Sequence, residues 1–145
     1  MMYILPDTLH ELLELALNDR EIIIQDDDYH LSSMAWHVSD RDDDNTFVCL
    51  AGCVMANSKK TLKGQSKWPF EFSPDDHRKL YAISNLSFGL VAEAVEEMSL
   101  VSFFKMPTEE QRVPDRCVTY PDKWGSEQWL ENMKQLLSEL KEKGI

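Results

Sequence analysis

The stretch Thr46 to Ser58, TFVCLAGCVMANS, carries no charged side chain and decides the fold. Read with a period of 3.6, Phe47, Leu50, Ala51 and Val54 share one stripe, while Cys49, Gly52, Cys53 and Ala56 form a face of small residues. That pattern predicts a helix buried on most sides and set at the centre of the domain. Gly52 inside a helix costs about 1 kcal/mol against alanine, so a second backbone is expected to approach closely there. Gly52→Leu should therefore cost roughly 1–3 kcal/mol. Lys59 and Lys60 complement the dipole at the C-terminal end.

Other helices assemble around this one. Thr8 and Glu11 form a capping box ahead of Leu9, Leu12, Leu13, Ala16 and Leu17, which predicts a helix ending at Asn18 and Asp19. Glu21 to Gln25 contains three consecutive Ile and reads as a strand or a buried extended piece. Asp26 to Asp28 is a turn, Tyr29 to Val38 an extended or short helical piece, and Asp40 to Asn45 a loop of mutually repelling carboxylates. Ser73, Pro74, Asp75 and Asp76 open a third helix whose Leu80, Ile83 and Leu86 face inward. Gly89 ends or breaks it, and Val91 to Met98 is a fourth. Leu100 to Trp124 is irregular and punctuated by Pro107, Pro114 and Pro121, with Cys117 to Tyr120 the best strand there. Ser126 starts a last helix with Trp129, Met133, Leu136, Leu137 and Leu140 in one stripe. The expectation is a single domain over residues 1–145, mainly α, with four to five helices and at most a small β element.

The 145-residue chain is 43% hydrophobic with a net charge of −11. Aromatic content argues against disorder. No run approaches the ~20 apolar residues needed to cross a bilayer, and the N-terminus has no basic region of a secretory leader. Three cysteines, an odd number in a domain that needs no staples, read as reduced thiols in a cytosolic protein. Charge is uneven. Residues 1–57 hold twelve acids and two bases, a net of −10, whereas residues 58–145 are nearly balanced. Such a surface repels phosphate, so nucleic acid is not an expected partner.

The motifs that carry chemistry fit poorly. Cys49 and Cys53, with His30 and His37 upstream, lack the knuckle spacing of structural zinc and read as buried thiols. Asp40-Arg-Asp-Asp-Asp-Asn45 imitates the start of a calcium loop, but its sixth position is Asn45 and its twelfth is Ala51. No nucleophile elbow, metalloprotease helix or glycine-rich phosphate loop is present. No metal or cofactor is expected, and enzyme is the minority reading. The basic, aromatic segment Lys59 to Phe70 suits single-stranded nucleic acid in composition, yet the acidity of the chain favours a loop pinned by Trp68 and Phe70.

The element Cys49-x-Ala51-Gly52-x-Val54-x-Ala56, with Trp36 and His37 upstream and Asn85 to Gly89 before a later helix, marks roughly residues 34–95. It resembles small acidic proteins of no established activity encoded by tailed bacteriophages and prophages, which carry C-x-A-G-x-V-x-A after a Trp. The resemblance implies a protein made inside a bacterial host, among accessory genes that blunt host defence. It transfers no catalytic residue.

Two function classes follow. One is a non-enzymatic interaction protein that presents Asp26, Asp27, Asp28, Asp40, Asp42, Asp43 and Asp44 to a basic host protein, with self-association left open. The other is a small-ligand or enzymatic site around Trp36, His37 and the Trp68–Phe72 loop. A convex acidic face favours the first, and a deep pocket with convergent polar groups the second.

Overall fold

A computed structural model describes residues 5–32, 37–39, 46–61, 72–118 and 127–145, with backbone alone at 37–39 and 59–61. Among the described residues five helices and a three-stranded sheet make a mainly α fold: α1 (Leu9–Ile23), β1 (Tyr29–Leu31), β2 (His37–Ser39), β3 (Thr46–Val48), α2 (Leu50–Thr61), α3 (Pro74–Ser87), α4 (Val91–Met98) and α5 (Glu127–Lys143). The sheet order is β1-β3-β2. β1 runs parallel to β3, and β2 antiparallel to it.

The central helix is present but shorter than its sequence suggests. Residues 46–48 form a strand, so Phe47 belongs to no helical stripe and is 39% exposed. Pairing explains the difference. Thr46 and Val48 sit opposite Tyr29 and Leu31, and this non-local ladder captures three residues that a local periodicity assigns to the helix. From Leu50 onward the expected faces hold. Leu50, Ala51, Val54 and Met55 enter the large helical core. The small residues Cys53 and Ala56 enter a second cluster with Ile23, Leu31 and Val48. The small face of α2 thus receives the sheet, and Gly52 is buried.

α1 also departs from its expected length. Its cap lies at Thr8, whose hydroxyl accepts the Glu11 N–H and donates to the Glu11 carboxylate in place of the second backbone bond of a capping box, and the helix continues past Asn18 and Asp19 to Ile23. Tertiary partners carry it through. The buried Asp19 carboxylate accepts a hydrogen bond from Asn57 Nδ2 at 2.8 Å, and the buried Arg20 guanidinium lies 5.4 Å from the centre of the Trp129 ring. Ile23 then closes the small cluster, so the triple-Ile run belongs to the helix end and not to a strand.

α3 and α4 follow the sequence closely. Ser73 Oγ accepts the Asp76 N–H, and Pro74 occupies the first position. The exit is a Schellman turn: Leu90 N–H donates to the Asn85 carbonyl, Gly89 N–H to that of Leu86, and Gly89 has φ +76°. The Arg116 N–H donates to the Gly89 carbonyl at 3.0 Å, and the Asp115 carboxylate accepts the Ala92 N–H at 2.8 Å. The irregular segment after α4 is therefore fastened to the α3–α4 junction. It contains a 3-10 turn, Glu109–Gln111, while Cys117 and Val118 are not in a strand. Thr119 and Tyr120 lie outside the described residues. On α5, Trp129 Nε1 donates to the Ser87 carbonyl at 2.9 Å and ties that helix to α3.

A buried ammonium holds the start of the chain. Lys79 Nζ donates to the Leu5 carbonyl and to Asp7 Oδ1, both at 2.8 Å, and lies 3.8 Å from Asp76. Burial pushes the Asp76 carboxyl above its ordinary value, while Lys79 pulls it down.

Candidate functional site

Of the expected site residues, the structure describes with side chains the acidic turn between α1 and β1 and, from the alternative site, Phe72, which is buried in the helical core. The turn's conformation follows from its aspartates. Asp26 Oδ1 accepts the Asp28 N–H at 3.0 Å, the turn that an Asp side chain makes with backbone two residues on. The Asp26 N–H donates to Ile23, its carbonyl accepts from Tyr29, and the Asp28 carbonyl accepts the Thr46 N–H at 2.7 Å. Four bonds thus fix the turn to the end of α1 and to the start of β3. Asp27 and Asp28 are exposed and Asp26 is half-buried. Together with Gln25 and Ile22, which is 49% exposed, they line a shallow, open hollow.

The sheet continues this edge. His30, Phe47 and Val38 stand in register across the three strands. The His30 and Phe47 rings lie 5.6 Å apart, tilted by 36°. Asp40, Asp42, Asp43 and Asp44 lie outside the described residues, as do Trp36 and Trp68. His37 is placed by its backbone alone, at the start of β2 opposite Val48.

The two central thiols sit in different surroundings. Cys53 is enclosed by the sheet-side cluster, and burial, with Cys49 nearby, pushes its thiol far up; Arg20 opposes this weakly. Burial also raises the Cys49 thiol, against the Gly52 N–H that donates to its sulfur at 3.4 Å. Both therefore stay protonated near neutral pH, the poorer form for attack or for ligation. Among the described residues no group of three or more His, Cys, Asp or Glu is disposed to hold a metal ion. No helix among them is long and apolar enough to cross a membrane.

One surface of the molecule has no periodic signature in the sequence. A cleft of about 240 Å³ opens between α4 and the segment that follows it, floored by Val91, Val95, Val113 and Ile145 and edged by Met106 and Glu109. The available signal was compositional: Leu100, Phe103 and Met106 are large apolar residues in a stretch with no periodicity to bury them.

No family model, no curated protein and no solved structure matches this chain.

Proposed function

We propose that the protein is a non-enzymatic interaction module, made in a bacterial host cell, that binds a basic host protein through its acidic residues Asp26, Asp27, Asp28, Asp40, Asp42, Asp43 and Asp44. The supporting observation is the turn itself. Three adjacent carboxylates, which repel one another, are held at the surface by four hydrogen bonds at a sheet edge, in the part of the chain that carries −10. A field of that sign steers cationic partners, raising association rates about ten-fold or more, and fades with salt. The resemblance to phage accessory proteins adds the context of a host defence component as the target.

Affinity capture from a bacterial lysate, with mass spectrometry of the retained proteins, identifies the partner. A variant with Asp26, Asp27, Asp42 and Asp43 changed to Asn retains the carbonyl acceptor at position 26 and so the turn. It should keep its circular dichroism and lose the partner, mainly through slower association. Equal capture by that variant at low and high salt would reduce the clusters to solubilising loops.

A further inference from the structure

The α4 cleft has the dimensions and the rim of a protein-docking groove. Val101 is buried and Phe104 packs against the helical core, which turns their neighbours outward. Leu100 is 63% exposed, Phe103 76% and Met106 59%. Met106 lines the cleft, and Ile145 lines both it and the adjoining hollow beneath Phe103. Met106 and Phe103 thus stand over two hollows that share Ile145, and exposed apolar patches mark association sites. At about 240 Å³ the cleft falls below the roughly 300–1,000 Å³ of small-molecule pockets and suits inserted side chains instead. Glu109 and Arg112 are the charged residues in its lining, and further exposed carboxylates stand beside it. Glu109 lines it and Glu110 follows; Glu96 lies one helical turn beyond Ala92, another lining residue. None of these three carboxylates makes an ion pair among the described residues, and Arg112 is the one cation lining the cleft.

We infer that this cleft binds a basic amphipathic helix of a partner protein, with apolar side chains on Val91, Val95 and Met106 and lysines or arginines toward Glu96, Glu109 and Glu110. This is the helix-in-groove mode, in which apolar anchors give affinity and the charged edge gives orientation. A second copy of this chain is disfavoured as occupant, because it brings −11 of its own to a carboxylate rim. The inference stands apart from the acidic turn, which contributes no residue to the cleft.

The test uses a synthetic helical peptide of leucine and lysine, about 18 residues or five turns long, titrated into the full chain by calorimetry. Two matched peptides replace its leucines by serine or its lysines by glutamate. The Leu/Lys peptide should bind, and each control should bind at least about ten-fold more weakly. Ala92→Arg, at an exposed helical position, and Glu109→Gln with Glu110→Gln should each weaken binding without changing circular dichroism. The Asp26→Asn, Asp27→Asn variant should leave it intact. Hydrogen exchange should show protection over residues 91–113. Absence of binding, equal binding of the serine peptide, loss through the acidic-turn variant, or self-association in the ultracentrifuge that Ala92→Arg abolishes would each overturn the inference.

Discussion

The helical core draws side chains from all five helices, Leu12, Leu50, Ile83, Val91 and Trp129 among them. Among the described residues the sheet-side cluster comprises Ile23, Leu31, Val48, Cys53 and Ala56, with Ile24 and Tyr29 against it. α2 serves both, its larger side chains to one and its small face to the other. The difference lies in redundancy. A side chain in the large core has neighbours from several elements, whereas the cluster under three-residue strands depends on every member and on pairing between distant residues. The larger cluster lies on the helical side, and the Asp26–Asp28 turn that the proposed function uses adjoins the sheet.

The largest expected break is at the α3–α4 junction. A Cβ at Gly89 would lie 2.2 Å from the Arg116 carbonyl oxygen, and the residue is held at φ +76°. Gly89→Ala adds the cost of left-handed backbone to a clash with main chain that has no rotamer to yield, about 4 kcal/mol in all. Denaturant unfolding measures it. A loss below about 1 kcal/mol would mean the junction relaxes and the helical side is less rigid than its hydrogen bonds imply.

A matched pair then compares the two regions directly. Ile83→Ala should cost about 3–4 kcal/mol, because well-braced neighbours leave a cavity, and Leu31→Ala about 2 kcal/mol, because short strands collapse around the loss. Leu31→Ala should also speed amide exchange in β3 while sparing α3. Equal costs with uniform exchange would merge the two regions into one cooperative unit.

Why the helical side was legible and the sheet side was not follows from range. The caps at Thr8 and Ser73, the stripe of α5 and the break at Gly89 are signals within a few residues, and all four appear where the sequence puts them except for the extra turn of α1. That turn depends on Asn57 and Trp129, which no local pattern reveals. β3 depends on pairing with Tyr29–Leu31, and its Thr-Phe-Val fits a local helical stripe equally well. The acidic turn was legible because an Asp side chain acts on its own backbone. The α4 cleft was not, because an aperiodic, proline-punctuated segment forms one wall of it.

Thiol chemistry sharpens the comparison at smaller scale. Of the three cysteines, Cys117 is exposed while Cys49 and Cys53 are buried, and burial raises both buried thiols. A chromogenic disulfide reagent at pH 8 should modify Cys117 rapidly and the other two only on unfolding. If Leu31→Ala accelerates modification of Cys53 more than of Cys49, the sheet side opens separately from the helices.

The smallest effect is a pH slope. Burial raises the folded-state pKa of Asp76 above its ordinary 3.8, so the folded state binds this proton more tightly than the unfolded chain does. Its contribution is therefore fully present below the unfolded-state value and is lost as pH rises from there through the raised folded-state value. Asp76→Asn removes that slope. Stability measured from pH 4 to pH 7 should show a difference between variant and wild type that changes in this direction. A parallel offset at every pH would mean that Lys79 fully neutralises the burial cost.

The pairing of Tyr29 with Thr46 also sets an order of events in time. The α3–α4 hairpin closes through neighbouring residues, but the β1–β3 ladder must first bring together chain segments on either side of β2, and a parallel ladder of three residues gains little until α2 offers its small face. The sheet is thus expected to form late in folding and to be among the first elements to open in the native ensemble. Asp26–Asp28, bonded to β3 through Thr46, lies at the boundary of that late unit. A partner that grips this turn would slow its opening, so occupancy of the acidic edge would be recorded as longer amide lifetimes in β3, in residues the partner need never touch.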